Sequence, residues 1–265
     1  MSNECYPLKL DEKSSIHFIN STEALEECSA AIFDPKETGV VLVGLDSEWI
    51  SPWPVNPKWK RTSIFQIALI DRVYVIDLLN FRSDLKGSGD DDEWPPRDFI
   101  CRLLQSKKHI KLGYSFSDDL EKLKNCLSEY DVTDDMRMVY RPLPALENPV
   151  KLLDLQIITE NILLTHPNFF SHGSLPRPLQ RRLKKQKGLS RLVFQTLGQP
   201  LNVSCQMSNW GRRALRSNQL KYAALNAFCL LEVYQVLKTV LLEIGDTRPI
   251  VNFAKMKKKR EQGQV

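Results

Sequence analysis

The clearest pattern in the chain is an apolar run that ends in two acidic residues. The run covers Val40–Leu45 without a helical period, and Asp46 and Glu48 follow it directly. Such a run predicts a buried β-strand. Because side chains alternate along a strand, both carboxylates point to the same side of the sheet, roughly 6 to 7 Å apart. A polar strand end that only meets solvent is the simpler interpretation of this motif taken alone.

Apolar and polar positions predict further elements on both sides of this strand. Strand patterns occur at Ile16–Ile19, Ser63–Ile70, Val73–Asp77, Ile110–Gly113 and Val150–Leu153. Helical patterns occur at Glu23–Ile32, Arg97–Leu104, Asp154–Leu164 and Asn218–Ile244, and from Ser117 and Gly188 onward. The acidic strand and the two that follow it suit an antiparallel run, after which strands and helices alternate. This order predicts an α/β fold with a mixed sheet flanked by helices.

The length of 265 residues, with 42% hydrophobic residues, is enough for one sizeable core. We predict an N-terminal extension at 1–15, one domain at 16–245 and a basic C-terminal tail at 246–265. Residues 84–93 hold a run of acids next to glycines and predict a loop.

The net charge of +5 conceals a strong asymmetry along the chain. Residues 1–160 contain 19 Lys or Arg and 28 Asp or Glu, whereas residues 161–231 contain 11 Lys or Arg and no acid. A polyanion partner for the second half explains this better than a solvated face does. Neutralisation by the acidic first half is the ordinary alternative. The run Arg181–Lys187 fits either a solvated segment or a phosphate contact.

The cysteines and histidines give no sign of a zinc site or a disulfide framework. None of the six cysteines forms a Cys-x-x-Cys pair, and the four histidines show no ligand spacing with them. Reduced thiols in apolar surroundings fit an intracellular protein, cytoplasmic or nuclear. We expect no signal peptide and no stretch that is long and apolar enough to span a membrane.

A third acid follows the strand at Ile110–Gly113. Asp118 and Asp119 come directly after Ser117, where the period changes from strand to helix. Asp119 therefore lies in the first turn of a helix that begins at the end of a strand. One of the two acids could serve only the helix dipole, and that role suits Asp118 better.

The long helix near the C-terminus carries Tyr222 and Asn226 one turn apart on one face. The alanines between them let the helix approach the sheet closely, which suits a site. The alternative is a half-buried core tyrosine beside a surface asparagine.

These motifs together resemble the DEDD superfamily of 3′-5′ exonucleases, in its DEDDy branch, and within it the Mut-7/Nibbler group. The likeness runs from about Ile16 to Leu241. It rests on the first motif, Leu45-Asp46-Ser47-Glu48-Trp49, with Gln66-Ile67-Ala68 in the next strand, and on Gly113-Tyr114 through Asp119-Leu120. It rests further on Gly188-Leu189-Ser190, Ser208-Asn209-Trp210 and Arg213, and on Tyr222-Ala223-Ala224-Leu225-Asn226.

The resemblance implies an RNase H-like mixed five-stranded sheet and two-metal-ion hydrolysis from the 3′ end of single-stranded nucleic acid. RNA, and an Argonaute-type partner, are implied by the family alone. In this scheme Asp46, Glu48, Asp119 and Asn226 hold two Mg²⁺ or Mn²⁺ ions, for which hard oxygen ligands are suited. Tyr222 orients the attacking water, and Trp49 stacks on the terminal base or simply packs in the core. The phosphate contacts are assigned to Arg181, Arg182, Lys184, Lys185 and Arg213.

Asn226 departs from the family, which has aspartate at this position. Three carboxylates then face the charge of two divalent ions, so the neutral amide should weaken metal binding. Two alternatives to an enzyme therefore stay open. One is a pseudonuclease that binds RNA without cutting it, and the other is a protein-interaction module built on the same fold.

Overall fold

The computed structural model describes residues 8, 10, 14–50, 62–83, 94–127, 130–132, 138–140, 143–170 and 187–246. Its strands are β1 (Ser15–Ile19), β2 (Val41–Trp49), β3 (Thr62–Ala68), β4 (Arg72–Asp77), β5 (His109–Gly113), β6 (Tyr130–Val132), β7 (Met138–Tyr140) and β8 (Leu152–Asp154). Its helices are α1 (Thr22–Ile32), α2 (Leu78–Ser83), α3 (Pro95–Gln105), α4 (Ser117–Leu127), α5 (Pro144–Glu147), α6 (Leu155–Thr165), α7 (Gly188–Leu197) and α8 (Ser217–Glu243).

The main sheet has six strands in the order β1-β4-β3-β2-β5-β8. β2, β3 and β4 form the antiparallel run, whereas β1 pairs parallel with β4, and β5 pairs parallel with β2 and β8. The predicted mixed sheet flanked by helices is confirmed, but the predicted number of five strands is wrong. The sixth strand is β1, whose five residues all pair with β4. A strand is predicted at Ile16–Ile19, but its short, partly exposed pattern does not show that it pairs at the edge of this sheet.

Each face of the sheet carries its own apolar core. Val43, Leu45 and Phe65 point to the face covered by α1, α3, α4 and α5. Ile64, Ala68 and Val75 point to the opposite face, which is covered by α6, α7 and α8. Burial of both faces explains why the central strands read as nearly continuous apolar runs.

The long helix α8 lies directly on β2, β3 and β4. Gly44 in β2 makes this approach possible, because a Cβ atom there would lie 2.1 Å from the carbonyl oxygen of Ala227. Ala223, Ala224 and Ala227 are fully buried on the helix side. The small residues on both elements therefore set the distance between α8 and the sheet.

The expectation that no stretch could span a membrane needs one correction. α8 is long and apolar enough by length and composition, with a mean hydropathy of 1.4 over its most apolar window. More than half of that window, 56%, is buried inside the protein. Packing against the sheet accounts for the apolar character of this helix.

Short elements were not predicted from the sequence. They are α2, α5 and the two-stranded antiparallel sheet of β6 and β7. Each spans six residues or fewer, which is too short for hydrophobic periodicity to show. Among the described residues, Cys28, Cys101, Cys126, Cys205 and Cys229 are free thiols.

Candidate active site

The acidic end of β2 extends past the end of its neighbour β5. The pairing of these two parallel strands stops at Gly44 and Leu112, so Asp46 and Glu48 lie beyond it. On the other side, β3 continues to pair with β2 as far as Trp49. This leaves a notch in the sheet, because the edge of β2 that faces β5 is unpaired at Asp46 and Glu48.

Asp46 and Glu48 face α8, as the alternation along a strand predicts. The Asn226 side chain donates a hydrogen bond from Nδ2 to Glu48 Oε1 at 3.4 Å, and it also interacts with Asp46 and Tyr222. Tyr222 lies one turn earlier on the same helix and packs against Trp210, with ring centroids 6.1 Å apart. The structure thus brings these four predicted residues together.

Asp119 reaches the notch from the opposite face of the sheet. It lies in the first turn of α4 and is only 5% exposed, whereas Asp118 is exposed to solvent. The hydroxyl of Ser47, which points away from Asp46 and Glu48, donates to Asp119 Oδ1 at 2.6 Å. Ser47 therefore ties the start of α4 to the acidic strand.

The turn that leads into α4 is held by Asp154 at the end of β8. Its carboxylate accepts hydrogen bonds from the backbone N–H groups of Ser115 at 3.0 Å and Phe116 at 3.1 Å. The same carboxylate caps α6 by accepting from Gln156 at 2.9 Å. One side chain thus fixes two neighbouring helix starts, and with them the position of Asp119.

The five predicted catalytic residues line one cleft of about 760 Å³. Its wall combines β2, the turn after β5, the start of α7 and the segment before α8. The lining comprises Asp46, Ser47, Glu48, Trp49, Tyr114, Ser115, Asp118, Asp119, Lys187, Gly188, Leu189, Ser190, Leu201, Val203, Gln206, Met207, Ser208, Trp210, Tyr222 and Asn226.

The carboxyl groups of the cleft hold their protons more tightly than usual. Burial raises the pKa of Glu48 to about 10, and repulsion from Asp46 and Asp119 adds to the effect. Burial also raises the pKa of Asp119 to about 7, although the hydrogen bond from Ser47 opposes it. The pKa of Asp46 lies well above its ordinary value for the same reasons, burial first and Asp119 second. Carboxyl groups are therefore concentrated here without enough positive charge nearby to keep all of them ionised.

Lys122 is the cation nearest to this cluster on α4. Its Nζ lies 3.3 Å from the centroid of the Trp49 ring, and its charge lowers the pKa of both Asp46 and Asp119. One amino group thus combines a cation–π contact with partial neutralisation of the acids.

The donor set suits a divalent cation by its chemistry, since carboxylate and amide oxygens are the ligands that Mg²⁺ and Mn²⁺ prefer. Within the part of the chain that the structure describes, no three His, Cys, Asp or Glu side chains converge closely enough to hold an ion. Asp119 is turned toward Ser47, and the amide of Asn226 is turned toward Glu48.

Arg213, which is predicted to contact phosphates, lies in an internal ion pair in this structure. Its guanidinium group forms an ion pair with Asp77, with Nε 2.6 Å from Oδ2 and Nη2 2.5 Å from Oδ1. It also donates to the carbonyl oxygen of Trp210 and the hydroxyl of Ser63, both at 2.9 Å. Arg213 is thus used inside the protein, where it fixes the segment before α8 to β3 and β4. The other predicted phosphate contacts, Arg181, Arg182, Lys184 and Lys185, lie outside the described residues.

Sequence reasoning missed Ser47, Lys122 and Asp154. Two of them carried a usable signal. Ser47 points to the opposite face from its acidic neighbours, which is the face that α4 must cover. Lys122 lies three residues after Asp119, on the same side of the helix. Asp154 begins a predicted helix, but nothing in the sequence shows that it also holds the turn before α4.

Comparison with known proteins gives a consistent answer. A family model described as 3′-5′ exonuclease matches residues 16–242. The human protein named exonuclease mut-7 homolog is 31% identical over 237 residues, which is 89% of this chain and 24% of that protein. The chain thus spans about a quarter of the length of this curated relative.

Solved structures agree with this comparison. The Nibbler EXO domain of Aedes aegypti is 25% identical, with a TM-score of 0.65 over 93% of this chain and 98% of that one. The RNase D of Escherichia coli, titled an exoribonuclease involved in structured RNA processing, shares the fold with a TM-score of 0.59 at 18% identity, over 94% of this chain and 51% of that one. The RNase H-like fold predicted from the sequence is confirmed. The chain belongs to the 3′-5′ exonuclease family, and its relatives there include proteins of the Mut-7/Nibbler group.

Proposed function

We propose that this chain hydrolyses single-stranded nucleic acid, RNA in the first place, one nucleotide at a time from the 3′ end. One observation carries the proposal. Three separate elements, β2, α4 and α8, bring Asp46, Glu48, Asp119, Tyr222 and Asn226 into a single cleft of a chain that belongs to the 3′-5′ exonuclease family.

Asp46, Glu48, Asp119 and the amide oxygen of Asn226 are the groups that would hold two Mg²⁺ or Mn²⁺ ions. Such ions generate a nucleophile from water near neutral pH and stabilise the charge on the attacking and leaving oxygens. The concentration of buried carboxyl groups supports this assignment, because burial and then repulsion from Asp46 and Asp119 raise the pKa of Glu48, and a divalent cation would offset that repulsion.

Tyr222 remains a neutral phenol at physiological pH. Burial raises its pKa above the ordinary value, and the charges of Glu48 and Asp46 add to the effect. A neutral hydroxyl can both donate and accept a hydrogen bond, which suits it to orient a water molecule beside the terminal phosphate.

Trp49 offers an aromatic face at the mouth of the cleft. Lys122 covers that face at 3.3 Å, so a base that stacks on the indole has to displace the amino group. The displaced amino group can then contact a phosphate, since it already lies near the acidic cluster. Stacking of this kind tolerates any base and adds roughly 1 to 3 kcal/mol of binding energy.

RNA is favoured over DNA because of the relatives. The Escherichia coli structure is titled an exoribonuclease. The acid-free stretch at 161–231 offers positive charge to the phosphate backbone of either nucleic acid. Small-RNA trimming with an Argonaute-type partner is the more specific proposal, and it rests on the Mut-7/Nibbler likeness alone.

A nucleic-acid-binding pseudonuclease is the second candidate. Asn226 favours it, because the amide supplies no negative charge and donates to Glu48 in this structure. The presence of Asp46, Glu48, Asp119 and Tyr222 in one cleft favours an enzyme. A protein-interaction module would need neither an amide at position 226 nor the acids and the tyrosine of the cleft.

A direct assay separates these candidates. The parent chain is incubated with 5′-labelled single-stranded RNA and Mn²⁺, beside Asp46→Ala and Asn226→Asp variants. We expect stepwise shortening by the parent and none by Asp46→Ala. Cleavage by Asn226→Asp alone would identify a site that binds without cutting, and no cleavage by either protein would contradict the proposed enzyme.

A further inference from the structure

Gln66 in β3 is an unusual residue for the middle of a core. Its side chain has no exposed surface. Neither its amide oxygen nor its amide nitrogen has a hydrogen-bond partner among the parts of the chain described above. Buried amides are normally paired, so two unpaired atoms on one side chain require an explanation.

The register of the sheet places Gln66 beside the candidate active site. It is paired with Asp46 on β2 and with Val75 on β4. Directly paired residues point to the same side of an antiparallel sheet, with Cβ atoms about 4.5 to 5.5 Å apart. Gln66 and Asp46 therefore lie side by side under α8.

Asp46 is the polar side chain paired directly with Gln66, whereas the diagonal neighbours Glu48 and Asp77 are hydrogen-bonded to Asn226 and Arg213. Val75 is the partner of Gln66 on the other side, and Ile64 and Ala68 are its neighbours along the same face of β3. The glutamine side chain is long enough to bring its amide group to the carboxylate of Asp46. An apolar residue would fit the remaining surroundings better.

We propose that Gln66 is a positioning residue for Asp46. Its Nε2 donates to the Asp46 carboxylate when that group is ionised and bound to a divalent cation, and so fixes the direction in which the free oxygen points. This inference rests on the proposed function. Groups that orient a metal ligand in this way typically change metal affinity 10- to 100-fold.

The test compares metal binding with folding in the same variants. Mn²⁺ affinity is measured by electron paramagnetic resonance, and thermal unfolding is measured in chelator, for the parent, Gln66→Leu and Gln66→Met. Methionine keeps the unbranched shape of glutamine if leucine does not fit. Thr62→Val is the matched control, because Thr62 also has a fully buried and unpaired oxygen on β3 but is paired with Trp49 rather than with an acid.

We expect the Gln66 variants to unfold in chelator at the same temperature as the parent or higher, since an unpaired amide has been removed. Their Mn²⁺ dissociation constants should rise about 10- to 100-fold, while that of Thr62→Val should not change. Unchanged Mn²⁺ affinity in the Gln66 variants would overturn the inference, and so would loss of the folded state in both of them. If the parent protein does not bind Mn²⁺, the proposed function fails as well. If the parent binds Mn²⁺ and the Gln66 variants bind it equally well, only the inference about Gln66 fails.

Discussion

Asn226 is the residue on which the chemistry of the cleft depends most. Its amide lies among Asp46, Glu48 and Tyr222 and lowers the pKa of each. It does so by forming hydrogen bonds with these groups. In the proposed two-metal site, a neutral amide at this position would bind the ions more weakly than a fourth carboxylate.

Replacing Asn226 with aspartate should therefore tighten metal binding. One added charge about 4 Å from a cation contributes roughly 1 kcal/mol in bulk water and roughly 4 kcal/mol near a protein surface, equivalent to about a fivefold to nearly a thousandfold change in affinity. Calorimetric titration of Mn²⁺ into the parent and Asn226→Asp measures this difference. Asn209→Asp, on the segment before α8, is the control for an added charge elsewhere. Equal affinity in the parent and Asn226→Asp would contradict a ligand role for position 226.

We expect Arg213 to stabilise the folded protein. Its partner Asp77 is almost fully buried, with a side-chain exposure of 2%. Removing one member of a buried ion pair typically costs about 3 to 5 kcal/mol. Arg213→Ala should lower the free energy of unfolding by about that amount in denaturant titrations, whereas Arg212→Ala, an exposed neighbour, should change it little. A stable Arg213→Ala protein with weaker RNA binding would restore the phosphate role.

At the scale of elements, the site depends on how closely α8 lies on β2. Gly44 allows α8 to approach β2. Tyr222 and Asn226 lie on the part of α8 that this approach brings to the strand. Gly44→Ala places a methyl group 2.1 Å from a backbone oxygen that cannot move by itself. Overpacking of this kind costs about 1 to 3 kcal/mol or more.

We expect Gly44→Ala to lower both the unfolding temperature and the affinity for metal, because the whole helix has to shift. Gly39→Ala is the control. The nearest atom to a Cβ there belongs to the flexible side chain of Glu37 at 3.6 Å, and the residue lies in an exposed turn. An unchanged unfolding temperature in Gly44→Ala would show that α8 does not need this contact.

The long elements could be predicted from the sequence, and the contacts between them could not. β2, α4 and α8 have strong hydrophobic patterns, so Asp46, Glu48, Asp119 and Tyr222 were placed on the right elements. The ion pair of Arg213 joins positions 136 residues apart, and no local pattern indicates such a pair. The position of Gln66 beside Asp46 depends on the register between β2 and β3, which the sequence alone does not fix.

At the scale of the whole molecule, the fold gathers acids from the first half of the chain and the helix of the second half at one end of the sheet. The carboxyl groups there retain protons in the folded state. Folding therefore takes up protons, and the free energy of unfolding of the metal-free protein should fall as pH rises. The pKa of Asp119 is about 7 in the folded protein, against an ordinary pKa of 3.8. Much of the loss of stability that Asp119 causes should therefore occur between about pH 4 and pH 7.

A bound metal ion should restore the stability that is lost as pH rises, because it binds the ionised carboxylates. At a free Mn²⁺ concentration of 100 times its dissociation constant, the gain in stability should be about 2.7 kcal/mol. Denaturant titrations of the chelated and Mn²⁺-loaded protein from pH 5 to pH 8 measure both effects. Asp119→Asn should flatten the pH dependence of the chelated form. A chelated protein that becomes more stable with rising pH would contradict the raised pKa values.

The polarity of cleavage tests the central claim most directly. The parent chain is given a 5′-labelled single-stranded RNA in Mn²⁺, with either a free 3′ hydroxyl or a 3′ end joined to the 5′ end in a circle. The account predicts a ladder of products from the linear strand, shortened one nucleotide at a time from its 3′ end, and no cut in the circle. Cleavage of the circle, or a ladder that persists in Asp46→Ala, would contradict it.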